Sequence, residues 1–245
     1  MGKIVAIGGG SNLPRIDREI IRLAKKKRPR ALLIPTATYD RPDVYDAFQE
    51  RFGAGYGCSA DVLYLLKNPP SLRVIREKIL TSDIIYVSGG NSLKMMRRWR
   101  RLGVDRVLEK AYQEQKVLCG ASAGAICWAA FGHSDSMSFY NSEKWDYVRV
   151  KALGLFPLLL CPHLDGENRG TSFCEMIARH DDMGIGLDNF AALEIVDGTF
   201  RILSENVTAS GYKVYRKGNA VVTETLDKGT RFKPLRLLME RNGHA

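Results

Sequence analysis

The chain has 245 residues, 45% of them hydrophobic and 26% charged. That composition excludes an intrinsically disordered chain, and no apolar run approaches the ~20 residues a membrane-spanning helix needs. The 37 Lys and Arg against 27 Asp and Glu give a formal charge of +10, which raises nucleic acid, anionic surfaces and acidic substrates as partners.

The basic excess is concentrated in residues 25–30 and 97–101. Both stretches read as solvated helix ends, where cations favour the helix dipole. No nucleic-acid motif accompanies them, so no nucleic-acid partner is expected. The opening MGKIVAIGGG has only a four-residue apolar stretch, too short for a secretory leader. The expectation is a cytoplasmic chain with no membrane partner. Five cysteines, at 58, 119, 127, 161 and 174, include no CxxC pair. They read as buried free thiols rather than a zinc or redox motif.

In chain order, short apolar strands alternate with longer helical stretches. Strands are predicted at 3–7, 31–34, 60–65, 84–87 and 117–119, with helices at 17–27, 42–52, 72–80, 92–102 and 104–114. A helix-like segment at 125–130 follows the fifth strand. A buried strand ends just before His163, and a helix is predicted at 170–179. The last third changes character. Segments 184–187, 191–196, 199–203, 211–216 and 220–223 are short and alternating, and are broken by Asp197-Gly198 and Lys217-Gly218-Asn219. The fold class is therefore α/β: a mainly parallel sheet flanked by helices, with an antiparallel C-terminal extension of the same sheet. No linker or repeat divides the chain, which reads as one domain over 1–245.

Ser122 is the sharpest chemical feature. Gly120-Ala121-Ser122-Ala123-Gly124 satisfies G-x-S-x-G between a predicted buried strand and a predicted helix. A nucleophilic serine needs this tight turn and these small neighbours, which lift its hydroxyl above the C-terminal sheet edge. The following helix N-terminus also favours negative charge nearby. Serine needs a base. Of the four histidines, His180 and His244 read as exposed and His133 lies in a loop after the elbow. His163 emerges from the apolar run 158–161 and is the preferred base. The third member orients the imidazole, and Asp135, Asp165, Glu167 and Asp188 compete for it. Gly89-Gly90-Asn91 closes the fourth strand and can bring backbone N–H groups to a ligand. With the N–H of Ala123 it can form an oxyanion hole. Gly8-Gly9-Gly10 suggests a dinucleotide loop but lacks the full G-x-G-x-x-G spacing, because position 13 is Leu.

GGGSN after the first strand, IPTA after the second, YVSGGN after the fourth, GASAGA at the elbow and FPLLLCPHLD before the histidine together resemble peptidase family S51. That family includes peptidase E, an α-aspartyl dipeptidase, and cyanophycinase. The match extends over about residues 4–215. The resemblance implies a fold related to class I glutamine amidotransferases (flavodoxin-like), with serine in place of their cysteine. It implies Ser122 as nucleophile, His163 as base, and Gly90 and Ala123 at the oxyanion hole. The family places a carboxylate in a Gly-x-x-Glu type segment after the histidine. Here Gly186-Leu187-Asp188-Asn189 stands there, so either Asp188 serves with a shift or the position is Asn189. Asp135 matches an aspartate implicated in peptidase E. Asp188 is preferred and Asp135 kept beside it. A preference for N-terminal aspartate calls for an arginine, and Arg169 is the candidate, with Gly89 and Asn91 also expected at the substrate. The implied chemistry is acyl transfer on a small peptide, with no metal or organic cofactor. A homodimer is left open. The alternatives are another S51 activity, such as cleavage of β-aspartyl-arginine units, and a non-catalytic binding protein that keeps the fold.

Overall fold

The computed structural model describes residues 2–241; His244 lies outside them. The first half of the chain alternates as its periodicity predicts. β1 (Lys3–Ile7), α1 (Pro14–Ala24), β2 (Arg30–Ile34), α2 (Pro42–Phe48), β3 (Ser59–Val62), α3 (Leu72–Thr81), β4 (Ile84–Val87), α4 (Ser92–Leu102), α5 (Val104–Gln113) and β5 (Val117–Ala121) follow in order. Local chemistry sets the helix limits. α1 starts earlier than its apolar stripe because Pro14 fits the first turn, where a missing N–H costs nothing. Asn91 caps α4 by accepting from the Lys94 N–H at 2.9 Å, and Gly103, left-handed at φ 72°, ends it. The predicted helix at 42–52 is two pieces, because α2 passes into a π-helical stretch at Gln49–Gly55.

The second half comprises α6 (Ala123–Ile126), β6 (Ala129–Ser134), β7 (Val148–Lys151), β8 (Phe156–Pro162), α7 (Arg169–His180), β9 (Gly184–Leu187), β10 (Ala191–Val196), β11 (Thr199–Ser204), β12 (Gly211–Lys217), β13 (Ala220–Thr225) and β14 (Lys233–Pro234). The fold is mixed α/β, but it carries two sheets rather than one extended sheet. The first has the order β14-β11-β10-β1-β5-β4-β2-β3, and the second β13-β12-β9-β8-β6-β7. β1, β5, β4, β2 and β3 pair in parallel. β10 adds to β1 antiparallel, as expected of a late extension. β9, β12 and β13 instead join the second sheet, because α7 carries the chain from β8 back into a parallel β9. The second sheet was hidden by β6. Its approach, AICWAA, is apolar on every side, so periodicity does not separate strand from helix there.

Alternation along β1 and β5 divides the core. Ile4, Ala6 and Leu118 face a cluster containing Met95, Trp99, Ile126, Leu158, Leu160 and Leu187, which joins the two sheets through α4, α5 and α6. Val5, Ile7 and Cys119 face the other way, onto Ile16 and Ile20 of α1, Phe48 of α2 and Phe52 of the π-helical stretch. On the outer face of the second sheet, Leu159 and Cys161 pack on Phe173, Met176 and Ile177 of α7. The five cysteines are free thiols, with Cys174 half-buried and the rest buried.

Candidate active site

The C-terminal ends of β1, β4 and β5 lie side by side, and Ser122, Gly89 and the His163 ring over Gly9 lie at them. β5 ends at Ala121, and Ser122 turns the chain with φ 57° and ψ −114°. Such a left-sided conformation costs a residue with a β-carbon roughly 1–3 kcal/mol and persists only where surroundings enforce it. The enforcement is visible. The Ser122 N–H bonds the Ile7 carbonyl of β1 at 3.0 Å, and the Ser122 carbonyl accepts from Ala125 and Ile126. The predicted helix after the elbow is only four residues long. Nearby N–H groups, rather than a helix dipole, are therefore what it offers an anion.

Gly89 faces the serine, and a β-carbon there would lie 3.2 Å from Ser122 Cβ. Gly90 has φ 119°, and its own β-carbon would fall 2.2 Å from the Ala37 carbonyl oxygen, so only glycine fits. The Ser88 and Asn91 N–H groups bond carbonyls of residues 34 and 37. Among the described residues, the intervening N–H groups of Gly89 and Gly90 take no backbone partner. Asn91 is fully buried. Its side chain caps α4 and reaches the Ser136 carbonyl at 3.5 Å. The expectation placed Asn91 at the substrate; in the fold its side chain is taken up by these two contacts.

His163 follows Pro162, the last residue of β8, with φ 136°, a second enforced conformation. Its ring covers Gly9, where a β-carbon would come within 2.3 Å of Nδ1 and Cε1. Nδ1 bonds Asn189 Oδ1 at 2.9 Å. Asn189 in turn donates from its backbone N–H and from Nδ2 to Asp165 Oδ1, both at 3.0 Å. Burial holds the imidazole below the ordinary histidine range. The Asn189 bond opposes that, and the Arg169 charge reinforces it.

The preferred acid, Asp188, does not reach His163. Its Oδ2 accepts from the Ser210 N–H at 2.9 Å and the Tyr212 hydroxyl at 3.2 Å, which pins β12. Asp188 and Asn189 lie in the link between β9 and β10, and of the two it is Asn189 whose side chain bonds the histidine. Burial pushes the Asp188 carboxyl up. Asp135 does not bond His163 either; it faces Arg169 Nη1 at 3.5 Å. Arg169 is only 6% exposed. Its Nη2 donates to the His133 carbonyl at 3.4 Å, and its guanidinium lies 5.1 Å from the Tyr147 ring centre. Its buried Nε has no partner among the described residues. His133 is fully buried between Ser172 Oγ, 3.0 Å from Nε2, and the stacked Tyr147 ring. Burial, aided by the Arg169 charge, drives its pKa down to about 3.

The profile of peptidase family S51 matches residues 4–203. This chain belongs to peptidase family S51. It is 33% identical over 223 residues to a Bacillus subtilis (strain 168) protein named an uncharacterized peptidase, YgaJ, covering 87% of this chain and 92% of that one. It is 26% identical over 166 residues to the peptidase E of Salmonella arizonae, covering 64% of this chain and 68% of that one. Among solved structures, a peptidase from an acI-B1 actinobacterium superposes with a TM-score of 0.73 at 17% identity, covering 96% of this chain and 97% of the other. A putative peptidase E of Listeria monocytogenes EGD-e superposes with a TM-score of 0.61 at 18% identity, covering 93% and 100%.

In this S51 chain, Asn189 stands where the family motif led us to expect a carboxylate. Asn189 was legible as one of two alternatives in Gly186-Leu187-Asp188-Asn189, and no local pattern separates them, because both lie in the link after β9. Asp165 competed for the place beside the histidine and lies one residue further out. Gly9, rejected as part of a dinucleotide loop, makes room for the His163 ring. Nothing local in the sequence signals that role.

Proposed function

We propose that this S51 chain is a serine peptidase acting on small peptides, with dipeptides carrying an N-terminal aspartate as the first substrate class. The observation that carries the reading is the enforced elbow at Ser122, together with a histidine whose Nδ1 is engaged by Asn189. An amide oxygen only accepts, so Nδ1 carries the proton and Nε2 has a free lone pair. His163 Nε2 takes the Ser122 hydroxyl proton as Oγ attacks the scissile carbonyl. The oxyanion forms against the N–H groups of Gly90 and Ala123. The imidazolium then protonates the leaving amine, and a water activated by the same Nε2 releases the acyl group and regenerates the serine. Arg169, already near Asp135, is the cation that would attract a substrate carboxylate.

A second reading is favoured by a cavity of about 590 Å³ beside the loop after His163, lined by Trp145, Asp146, Tyr147, Glu167, Glu175 and Arg179. Three carboxylates and two aromatic rings suit a basic substrate side chain. The experiment is a panel of Asp-X dipeptides and Arg- or Lys-containing dipeptides, β-aspartyl-arginine included, against wild type, Ser122→Ala, Arg169→Ala and Glu175→Gln. Asp-X turnover lost in Ser122→Ala and weakened in Arg169→Ala is the expected result. Turnover confined to basic peptides and weakened in Glu175→Gln selects the second reading. No turnover that depends on Ser122, with no labelling of Ser122 by a fluorophosphonate, overturns the peptidase assignment.

A further inference from the structure

The bond from His163 to Asn189 has a direction, and the side chains behind it set that direction. An asparagine amide has two ends of opposite character. Turned one way it presents Oδ1 to His163 Nδ1; turned the other way it presents the NH2 group. In the first case the imidazole carries its proton on Nδ1 and Nε2 is a base. In the second, Nδ1 must accept, the proton moves to Nε2, and the lone pair facing the serine is lost. A carboxylate behind the histidine would admit only the first arrangement. Asn189 alone admits both.

Asp165 removes that ambiguity. Its Oδ1 lies 3.0 Å from Asn189 Nδ2 and 3.0 Å from the Asn189 backbone N–H. A carboxylate oxygen accepts and does not donate, so it holds the NH2 end and repels the carbonyl end. The backbone bond keeps Asp165 in place through the same oxygen. The Oδ1 end is left 2.9 Å from His163 Nδ1. We propose that Asp165 is a positioning residue which, by fixing the orientation of the Asn189 amide, sets the tautomer of His163. Ser122, His163, Asn189 and Asp165 then form a four-member chain in which the negative charge stands one residue further from the imidazole than in a three-member triad. The inference rests on the reading of Ser122 and His163 as nucleophile and base, but its first test needs no substrate.

That test is long-range 1H–15N NMR of the histidine rings in the uniformly 15N-labelled full-length protein at neutral pH. Wild type is expected to show His163 with a protonated Nδ1 and a pyridine-like Nε2. Asp165→Ala is expected to move population to the Nε2–H form. An unchanged Nδ1–H tautomer in Asp165→Ala overturns the proposal. The second measurement is the rate at which a fluorophosphonate labels Ser122, a step in which the Ser122 oxygen bonds phosphorus, fluoride departs and the serine proton passes to His163. Asp165→Ala should slow it ~10- to 100-fold, a partial loss of the roughly 10²–10⁴-fold that a general base contributes. In an Asn189→Asp background the same substitution should cost at least about tenfold less, because a carboxylate at 189 needs no orientation. Equal losses in both backgrounds identify Asp165 as a mere loop brace and overturn the proposal. Absence of labelling in wild type strikes the serine-hydrolase reading instead, and leaves the tautomer measurement to decide the role of Asp165.

Discussion

Gly9 lies directly under the His163 ring: a β-carbon at position 9 would come within 2.3 Å of Nδ1, of Cε1 and of Asn189 Oδ1. The first glycine cluster of the chain therefore shapes the seat of the candidate base. Gly9→Ala is expected to push the ring off Asn189. A misplacement of about 1 Å at a catalytic group costs on the order of 10²-fold in rate. Steady-state kinetics should show the loss mainly in kcat, and urea unfolding should separate it from global destabilisation.

Ser122 offers a second test, of stored strain. Its φ of 57° and ψ of −114° suit glycine better than any residue with a β-carbon. Ser122→Gly and Ser122→Ala should both be inactive. Ser122→Gly should nevertheless be the more stable of the two by about 1 kcal/mol, since relief of roughly 1–3 kcal/mol of backbone strain exceeds the extra unfolded-state entropy of glycine. Equal urea midpoints would show that the elbow stores no strain.

The pH profile follows from the environment of His163. Burial holds its pKa below the ordinary value, with the Asn189 bond opposing and the Arg169 charge reinforcing. The base works when neutral, so kcat/KM should stay high as pH falls through ~6.5 and decline only at lower pH. Asn189→Asp places a charge beside the ring and should move that acid limb upward by about 1–3 units. A limb that does not move would mean that position 189 does not govern the base.

His133 makes the opposite kind of prediction, about stability. Its folded pKa is depressed to about 3, against ~6.5 in an unfolded chain. A base depressed on folding contributes stability that is fully present above the unfolded value and is lost as pH falls toward the folded one. Between pH 7 and pH 5 the unfolded state takes up a proton that the folded state refuses. Unfolding free energy should drop by about 2 kcal/mol from this residue. His133→Gln should lower stability at pH 7 and flatten that part of the pH dependence in urea titrations.

Much of this was legible before any coordinates. The parallel half of the fold follows from apolar strands and amphipathic helices, and β4, α4, β9 and β10 match their predicted limits. The elbow follows from glycine spacing, and His163 from its place after an apolar run. The failures have physical causes. β6 lies in a segment apolar on all sides, so nothing in its pattern distinguished strand from helix. Asp188 was preferred over Asn189 because a carboxylate is the better partner for an imidazolium. In the link after β9 the Asp188 side chain instead meets Ser210 and Tyr212.

The two sheets carry a consequence for how the molecule comes into being. Ser122 follows β5 of the first sheet, and His163 follows β8 of the second. Asn189 sits between β9 of the second and β10 of the first. A nascent chain that has built only its parallel half thus displays a serine with no partner to arouse it. The candidate site is therefore complete only once both sheets are built and β10 lies beside β1.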